Sequence, residues 1–319
     1  MRVWNVTETG CKLQTEPDWQ ALIQDKEHVY WIDLKTTAPE TIRVLTNEFR
    51  FHPLAIEDTL HELQRPKVEE YEEYLFSILN GIALADEELT FREIDVFVGI
   101  NYIVTIHDEE TDPLVDAAIR RIDQGIHSRL PLSTGYLLYV LVDTMVDSYF
   151  PVTDKIGDQI ESISEAILEQ PRRTHLAALF KLKRALGEMW RVTGQQRDMF
   201  ILLTHDSSPF IDHEVLRYYL RDVYDHLLRV TESVNTFRDN LSNVIDLYLS
   251  SVSNRLNIVV KRLTVFTILF GAFAVITGFY GMNFEQTVPP FSSEWGVPFV
   301  ICVMAVVGLV IVRWLGRDE

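Results

Sequence analysis

The sequence predicts an α/β domain followed by one long helix that continues into the first of two C-terminal membrane-spanning helices. Three observations predict it. Short β-rich runs alternate with helix-like segments over residues 1–130. Apolar residues recur at steps of four and three from Leu216 to Val244. Two stretches near the C-terminus, 263–280 and 297–312, contain no charged residue.

The elements follow in order. Strand-like runs stand at VYWIDL (29–34), YLFSILNGIALA (74–85), IDVFVGI (94–100) and YIVTIH (102–107). Between them PETIRVLTNEFRF and HPLAIEDTLHEL read as helices, each with proline at or near its first turn, where its missing N–H costs nothing. A helical stretch covers 132–169 and stops before Pro171, another covers 172–204, and HDSSPFID (205–212) is a turn. Residues 131–212 are thus expected as a helical hairpin. No glycine-rich phosphate loop appears, no serine or cysteine sits in a nucleophile setting, and the nine histidines form no HxxxH pair. An enzyme is therefore not expected; His52 and His61 flank a helix and read as capping or surface residues.

The long helix is expected over 213–280. Leu216, Leu220, Val223, Leu227, Val230, Val234, Phe237, Leu241 and Val244 keep a 3.5-residue period, and no proline occurs between 210 and 288. A helix of roughly 65 residues is about 100 Å long and cannot bury such a seam alone. Its partners are either the helices of 132–204 or copies of itself around an axis.

Each uncharged stretch has about the ~20 residues that cross a bilayer, so 297–315 is expected as the second span and 281–296 as the loop between them. MRVWNVTETG has no apolar leader-like run, so the residues ahead of the first span are expected in the cytosol. Lys261 and Arg262 precede the first span, Arg313 and Arg317 follow the second, and the loop has no Lys or Arg. This predicts a multi-pass protein of the cell membrane with both termini, including the short tail 316–319, in the cytoplasm. Cys11 and Cys302 lie in different parts of the chain and imply no disulfide framework.

The formal charge is −18, with acidic runs at 69–73, 86–88 and 108–110. Such a surface excludes nucleic acid and favours cations. Two spans per chain are too few to enclose a polar path, so transport would need an oligomer.

YGMNFE (280–285), placed directly after the first of two C-terminal spans, resembles the hallmark of the CorA-type magnesium channels. HPLAIEDTLHELQRPKVE (52–69), VDTMVDSYF (142–150), RDVYDH (221–226) and DLYLSSVSNRLN (246–257) are similar to family segments, so the resemblance covers essentially the whole chain in order. It implies a funnel-shaped homopentamer in a lipid bilayer, with the long helix lining the pore and the second span outside it. The implied function is passive, gated influx of Mg2+, with Co2+ or Ni2+ able to share the path, closed by cytosolic Mg2+ bound between subunits. The tail RWLGRDE departs from the lysine run with which many relatives finish, which leaves the role of a basic collar open.

The resemblance places Gly281, Met282 and Asn283 at the outer mouth as the selectivity filter. Mg2+ gives up its waters reluctantly, and a ring of backbone carbonyls and Asn283 oxygens can hold it hydrated. The implied pore-lining positions are Asn257, Leu263 or Thr264, Phe270 or Gly271, Ala274 and Gly278. Leu263 would be an apolar constriction and Asp246 a further ring below Asn257. The small residues in the span also suit close helix packing. The implied regulatory Mg2+ ligands are Glu57, Asp58, Asp143 and Asp222, with Asp147 the alternative to Asp143. Two other readings remain: a zinc transporter of the related branch, against which Met282 argues, and a membrane-anchored divalent-ion sensor without conduction.

Overall fold

The structure is a computed structural model; it describes residues 1–36, 38–61, 64–85, 88–109, 111–124, 131–205, 209–210, 213–282 and 295–315. The chain divides into two compact units, residues 1–166 with 172–245, and residues 167–171 with 246–319.

The first unit is built on a seven-stranded sheet. Its strands are β1 (Arg2–Thr7), β2 (Gly10–Gln14), β3 (Val29–Lys35), β4 (Lys67–Glu70), β5 (Leu75–Ala85), β6 (Glu88–Val98) and β7 (Tyr102–His107). The order is β2-β1-β3-β7-β6-β5-β4. Only β3 and β7 pair in parallel; the other pairs are antiparallel. The strand period of two sends alternate side chains to two separate cores. Tyr30, Ile32, Phe76, Ile78, Phe97, Val104 and Ile106 share one face with α1 (Trp19–Gln24), α3 (Pro53–Leu60) and Val44 and Leu45, which follow α2 (Pro39–Arg43). Trp31, Leu79, Ile94, Val96, Val98 and Ile103 meet α4 (Pro113–Asp123) and α5 (Thr134–Asp147) on the other. Gly81 permits this second contact, because a Cβ there would stand 2.1 Å from Leu114 Cδ1 of α4.

Helix α5 is buried along nearly its whole length, as an all-round apolar sequence requires. The sequence predicts one helix over 132–169, but the chain breaks at Ser148 and resumes as α6 (Tyr149–Glu169). Pro151 supplies the reason: it lacks an N–H and its ring would crowd the Asp147 carbonyl. The hairpin β1–β2, the short strand β4 and helices α1 and α4 add to the elements expected from sequence. Both strands of the hairpin lie toward one margin of the sheet, and their short amphipathic runs carry little periodicity to detect.

Two long helices complete this unit: α7 (Arg173–His205), and the first part of α8, which spans His213–Tyr280. The α8 seam is buried inside its own chain. Leu216, Leu220, Val223 and Leu227 join the core that holds Leu137, Leu141 and Met145 of α5 and Met199, Phe200 and Leu203 of α7. Farther along, the Phe237 ring lies over Gly157 of α6, and Val234, Leu241 and Val244 are buried. Of the two partners the period allows, the chain's own helices fill the seam.

The second unit contains the remainder of α8 and α9 (Gly296–Leu315). Phe273 and Leu269 of α8 lie 3.5 and 3.7 Å from where a Cβ on Gly308 of α9 would stand. Both helices are long and apolar enough to cross a membrane. Their most apolar windows are 0% and 6% buried, which a core helix of a soluble protein would not be.

Candidate metal centre

Asp143 and Asp147 stand one turn apart on the last two turns of α5. Ser133 starts that helix by accepting a hydrogen bond from the Tyr136 N–H at 3.2 Å. The acids therefore lie at the negative end of the helix dipole, where carboxylates are disfavoured unless a cation stands near. Asp143 is 5% exposed, and Arg121 of α4 forms an ion pair with its Oδ2. The same guanidinium donates to Thr144 Oγ1 at 3.2 Å and lies 3.8 Å from Asp147 Oδ2.

Helix α8 closes the group from the other side. His226 Nδ1 is 3.9 Å from Asp147 Oδ1, and its Nε2 is 3.8 Å from Asp222 Oδ2. The ring is held edge-on to Phe150, centroids 5.8 Å apart. Its Nδ1 is buried with no hydrogen-bond partner. One ligand atom each from Asp143, Asp147 and His226 lie within 4.8 Å of one another. That is close to the ~4.2 Å between opposite ligands of a Mg2+ at ~2.1 Å, and the unpartnered imidazole nitrogen faces the acids, so the residues fit a divalent cation. Burial pushes the Asp147 carboxyl above its ordinary pKa and Asp143 adds to the push, outweighing Arg121 and His226.

Glu57 and Asp58 do not join this group. They lie on α3, across the sheet from α5. Glu57 is exposed, and Lys67 Nζ holds Asp58 at 2.7 Å and Glu69 at 2.8 Å. Within one chain the four expected ligands thus occupy two places, with the sheet between them. Both Asp143 and Asp147 belong to the centre, so the two alternatives of the sequence are members of one group. His226 is an addition; its signal is the Asp222–His226 spacing of four in RDVYDH, which a search for paired histidines passes over. His52 and His61 cap α3: His52 Nδ1 accepts from the Leu54 N–H, and His61 Nδ1 lies 2.8 Å from the Glu57 carbonyl.

In the second unit Asp246, Asn257, Leu263, Gly271, Ala274 and Gly278 are all exposed on α8. Among the described residues, nothing lies within 4 Å of a Cβ built on Gly271 or Gly278. At 100° per residue Asp246, Asn257, Gly271 and Gly278 fall on the side of α8 away from Leu269 and Phe273, the residues that touch α9, and Leu263 and Ala274 fall on its flank. Thr264, Thr267 and Thr277 return their hydroxyls to carbonyls four residues back, each at 2.9 Å, so none is left unsatisfied in an apolar setting. The helix ends as Gly281 N–H donates to the Thr277 carbonyl at 2.9 Å and Met282 N–H to the Phe279 carbonyl at 3.3 Å. Asn283 lies outside the described residues.

An acidic α/β domain, a long helix leading into an exposed apolar span and a second span behind it define a class of two-span membrane transport proteins. Residues 26–317 match the family described as CorA-like Mg2+ transporter protein. The chain belongs to that family, whose members are transporters and not enzymes. It is 37% identical over 274 residues to the cobalt/magnesium transport protein CorA of Thermotoga maritima, covering 85% of this chain and 77% of that one. It is 33% identical over 285 residues to the putative metal ion transporter YfjQ of Bacillus subtilis, covering 88% and 87%. Its fold matches the complete structure of the CorA magnesium transporter from Methanocaldococcus jannaschii with a TM-score of 0.81 and 22% identity, over 100% of this chain and 98% of that one.

Proposed function

We propose that this chain forms a homopentameric channel that passes Mg2+ down its gradient into the cytosol, with Co2+ or Ni2+ able to share the path. The observation that carries the reading is that α8 is one helix bearing Asp222 and His226 near its start and the exposed face Leu263, Gly271, Ala274 and Gly278 near its end. In this reading, ion occupancy at the acids influences the width of a pore lined by that face because both belong to one helix. The free side of α8 suits an axis shared with four copies, since α9 covers the other side. Gly281, Met282 and Asn283 would form the mouth, and Leu263 the constriction that shuts by dewetting.

Regulation follows from charge. The α3 acids Glu57 and Asp58 cannot reach Asp143 and Asp222 within one chain, so they are available to face those of a neighbour. Cytosolic Mg2+ between such faces favours the symmetric closed assembly, and its loss lets like charges separate the subunits. The ion must bind the closed state better than the open one for this to work. With Lys261, Arg262 and Arg313 on the cytosolic side, influx is drawn by the membrane potential at about 2.3 kcal/mol per charge per 100 mV.

The test is Mg2+ uptake by proteoliposomes carrying the purified protein. Asn283→Ala is expected to abolish uptake while the pentamer still assembles in detergent. Normal uptake by that variant removes the filter assignment, and a monomeric wild-type protein in lipid removes the channel.

A further inference from the structure

Resting on the regulatory reading of the Asp143–Asp147–His226 centre, we propose that Arg121 is a tethered cation that occupies this centre in place of the metal, so the regulatory ion must displace it. Arg121 then sets the Mg2+ concentration at which the centre fills.

The geometry leads there directly. A carboxylate as buried as Asp143, 5% exposed, needs a partner of opposite charge, and that partner is the Arg121 guanidinium. The other terminal nitrogen of that group reaches toward Asp147, 3.8 Å away, and donates to Thr144 Oγ1. A planar fork spanning two carboxylates on one helix face does what an ion would do there. It does so with a single charge, against the two acids Asp143 and Asp147 that it contacts.

Arg121 can also leave. Its side chain is 27% exposed, and it belongs to the last turn of α4. The carbonyl end of that helix dipole favours a cation, so the released guanidinium keeps a resting place beside solvent. Asp58 is likewise held by a tethered cation, Lys67 at 2.7 Å, but Lys67 also holds Glu69 and so has a second acid that remains when Asp58 is taken. Arg121 spans two acids of the candidate centre itself, so it competes for the ion's own ligands.

The experiment uses the full chain in detergent with Mg2+ as the only added divalent ion. Its readouts are the Mg2+ concentration for half-maximal protease protection and Mn2+ binding followed by electron paramagnetic resonance. Arg121→Gln is expected to lower the half-protection concentration at least about tenfold, the scale on which one neighbouring unit charge changes the binding of a proton. Arg121→Lys, which keeps the charge but cannot span both acids, is expected to lower it less. Damage to the fold would weaken ion binding, so tighter binding is a result that a purely structural role does not produce. An unchanged or raised midpoint in Arg121→Gln overturns the proposal; if that variant does not assemble, the same outcome in Arg121→Lys does so. Asp143→Asn separates the two ideas. If it raises the midpoint while the Arg121 variants fail to lower it, only the tethered cation is lost. If it leaves the midpoint unmoved, the centre is not the sensor and both readings fall.

Discussion

His107 Nε2 lies 3.0 Å from Asp33 Oδ1, and both side chains are 3% exposed. The pair anchors a buried network on the α4–α5 face of the sheet. Thr105 donates to the same carboxylate at 2.7 Å and receives the Trp31 indole N–H at 3.1 Å. Arg2 donates to Asp33 Oδ2 at 2.6 Å and to Asp116 of α4 at 2.6 Å. The parallel pairing of β3 with β7 places Asp33 opposite Thr105, so the network ties the join of the sheet to the helix above it.

The pair makes stability depend on pH in two directions. Burial opposes ionisation of both groups, yet the mutual hydrogen bond and charge raise the His107 pKa above its usual 6.5 and lower that of Asp33 below 3.8. The His107 contribution is full below about 6.5 and is lost as pH rises through the native value. The Asp33 contribution is full above about 3.9 and is lost as pH falls through its native value. Thermal unfolding in detergent should therefore show the network's largest contribution between about pH 4 and 6.5. Asp33→Asn should cost about 3–5 kcal/mol at pH 6 and flatten both limbs; a variant that keeps the wild-type profile would assign the pH dependence elsewhere.

Asp95 carries the opposite sign. It is 4% exposed, its Oδ1 is buried without a hydrogen-bond partner, and burial followed by Glu93 holds its pKa well above 3.8. The native protein keeps this proton after the unfolded chain has released it, which costs stability at neutral pH and nothing below about 3.9. Asp95→Asn should raise unfolding stability by about 1–3 kcal/mol at pH 7, with the gain vanishing near pH 3.5. A loss of stability at both pH values would show the carboxyl to be satisfied.

The two acid groups on opposite faces of the sheet should act together. Asp58→Ala combined with Asp222→Ala should loosen the closed state, so that millimolar Mg2+ no longer protects the protein from protease. Protection that persists in the double variant removes these residues from the sensor.

The two halves of α8 should answer differently to the same truncation. Leu227 is fully buried against α5 and α7, and Leu227→Ala should cost about 2–5 kcal/mol in chemical unfolding. Leu263 is 64% exposed within the chain, and Leu263→Ala should change stability by less than about 0.5 kcal/mol. Its effect should instead be uptake that continues at Mg2+ concentrations that close the wild type. If uptake by that variant shuts normally, the constriction lies elsewhere on the helix.

The membrane spans and the long helix were legible because each leaves a periodic or compositional mark: uncharged runs of membrane length, and a seam recurring every 3.5 residues. The break at Ser148 was also legible in principle, through Pro151, but the strong apolar run of 132–146 masks a single proline. The candidate centre was only partly legible. RDVYDH and VDTMVDSYF pointed to Asp222, Asp143 and Asp147, and the spacing of four in RDVYDH puts His226 beside Asp222, while nothing local in the sequence marks Arg121 as their partner. Those contacts join α4, α5 and α8, whose sequence separations exceed 20 and 70 residues.

By itself, then, the sequence determined the class of the chain: an acidic α/β unit, a helix too long to bury its own seam, and two apolar segments with nothing charged in them. Hydrophobic period and charge are properties of a segment, and a segment keeps them wherever it packs. Tertiary structure alone decided that the seam is filled by α5, α6 and α7, and that Glu57 and Asp58 stand across the sheet from Asp143. It also decided that a guanidinium occupies the acids expected to take a metal. These are outcomes of which surfaces exclude water together, and distant residues acquire a common environment only when the chain has closed around them.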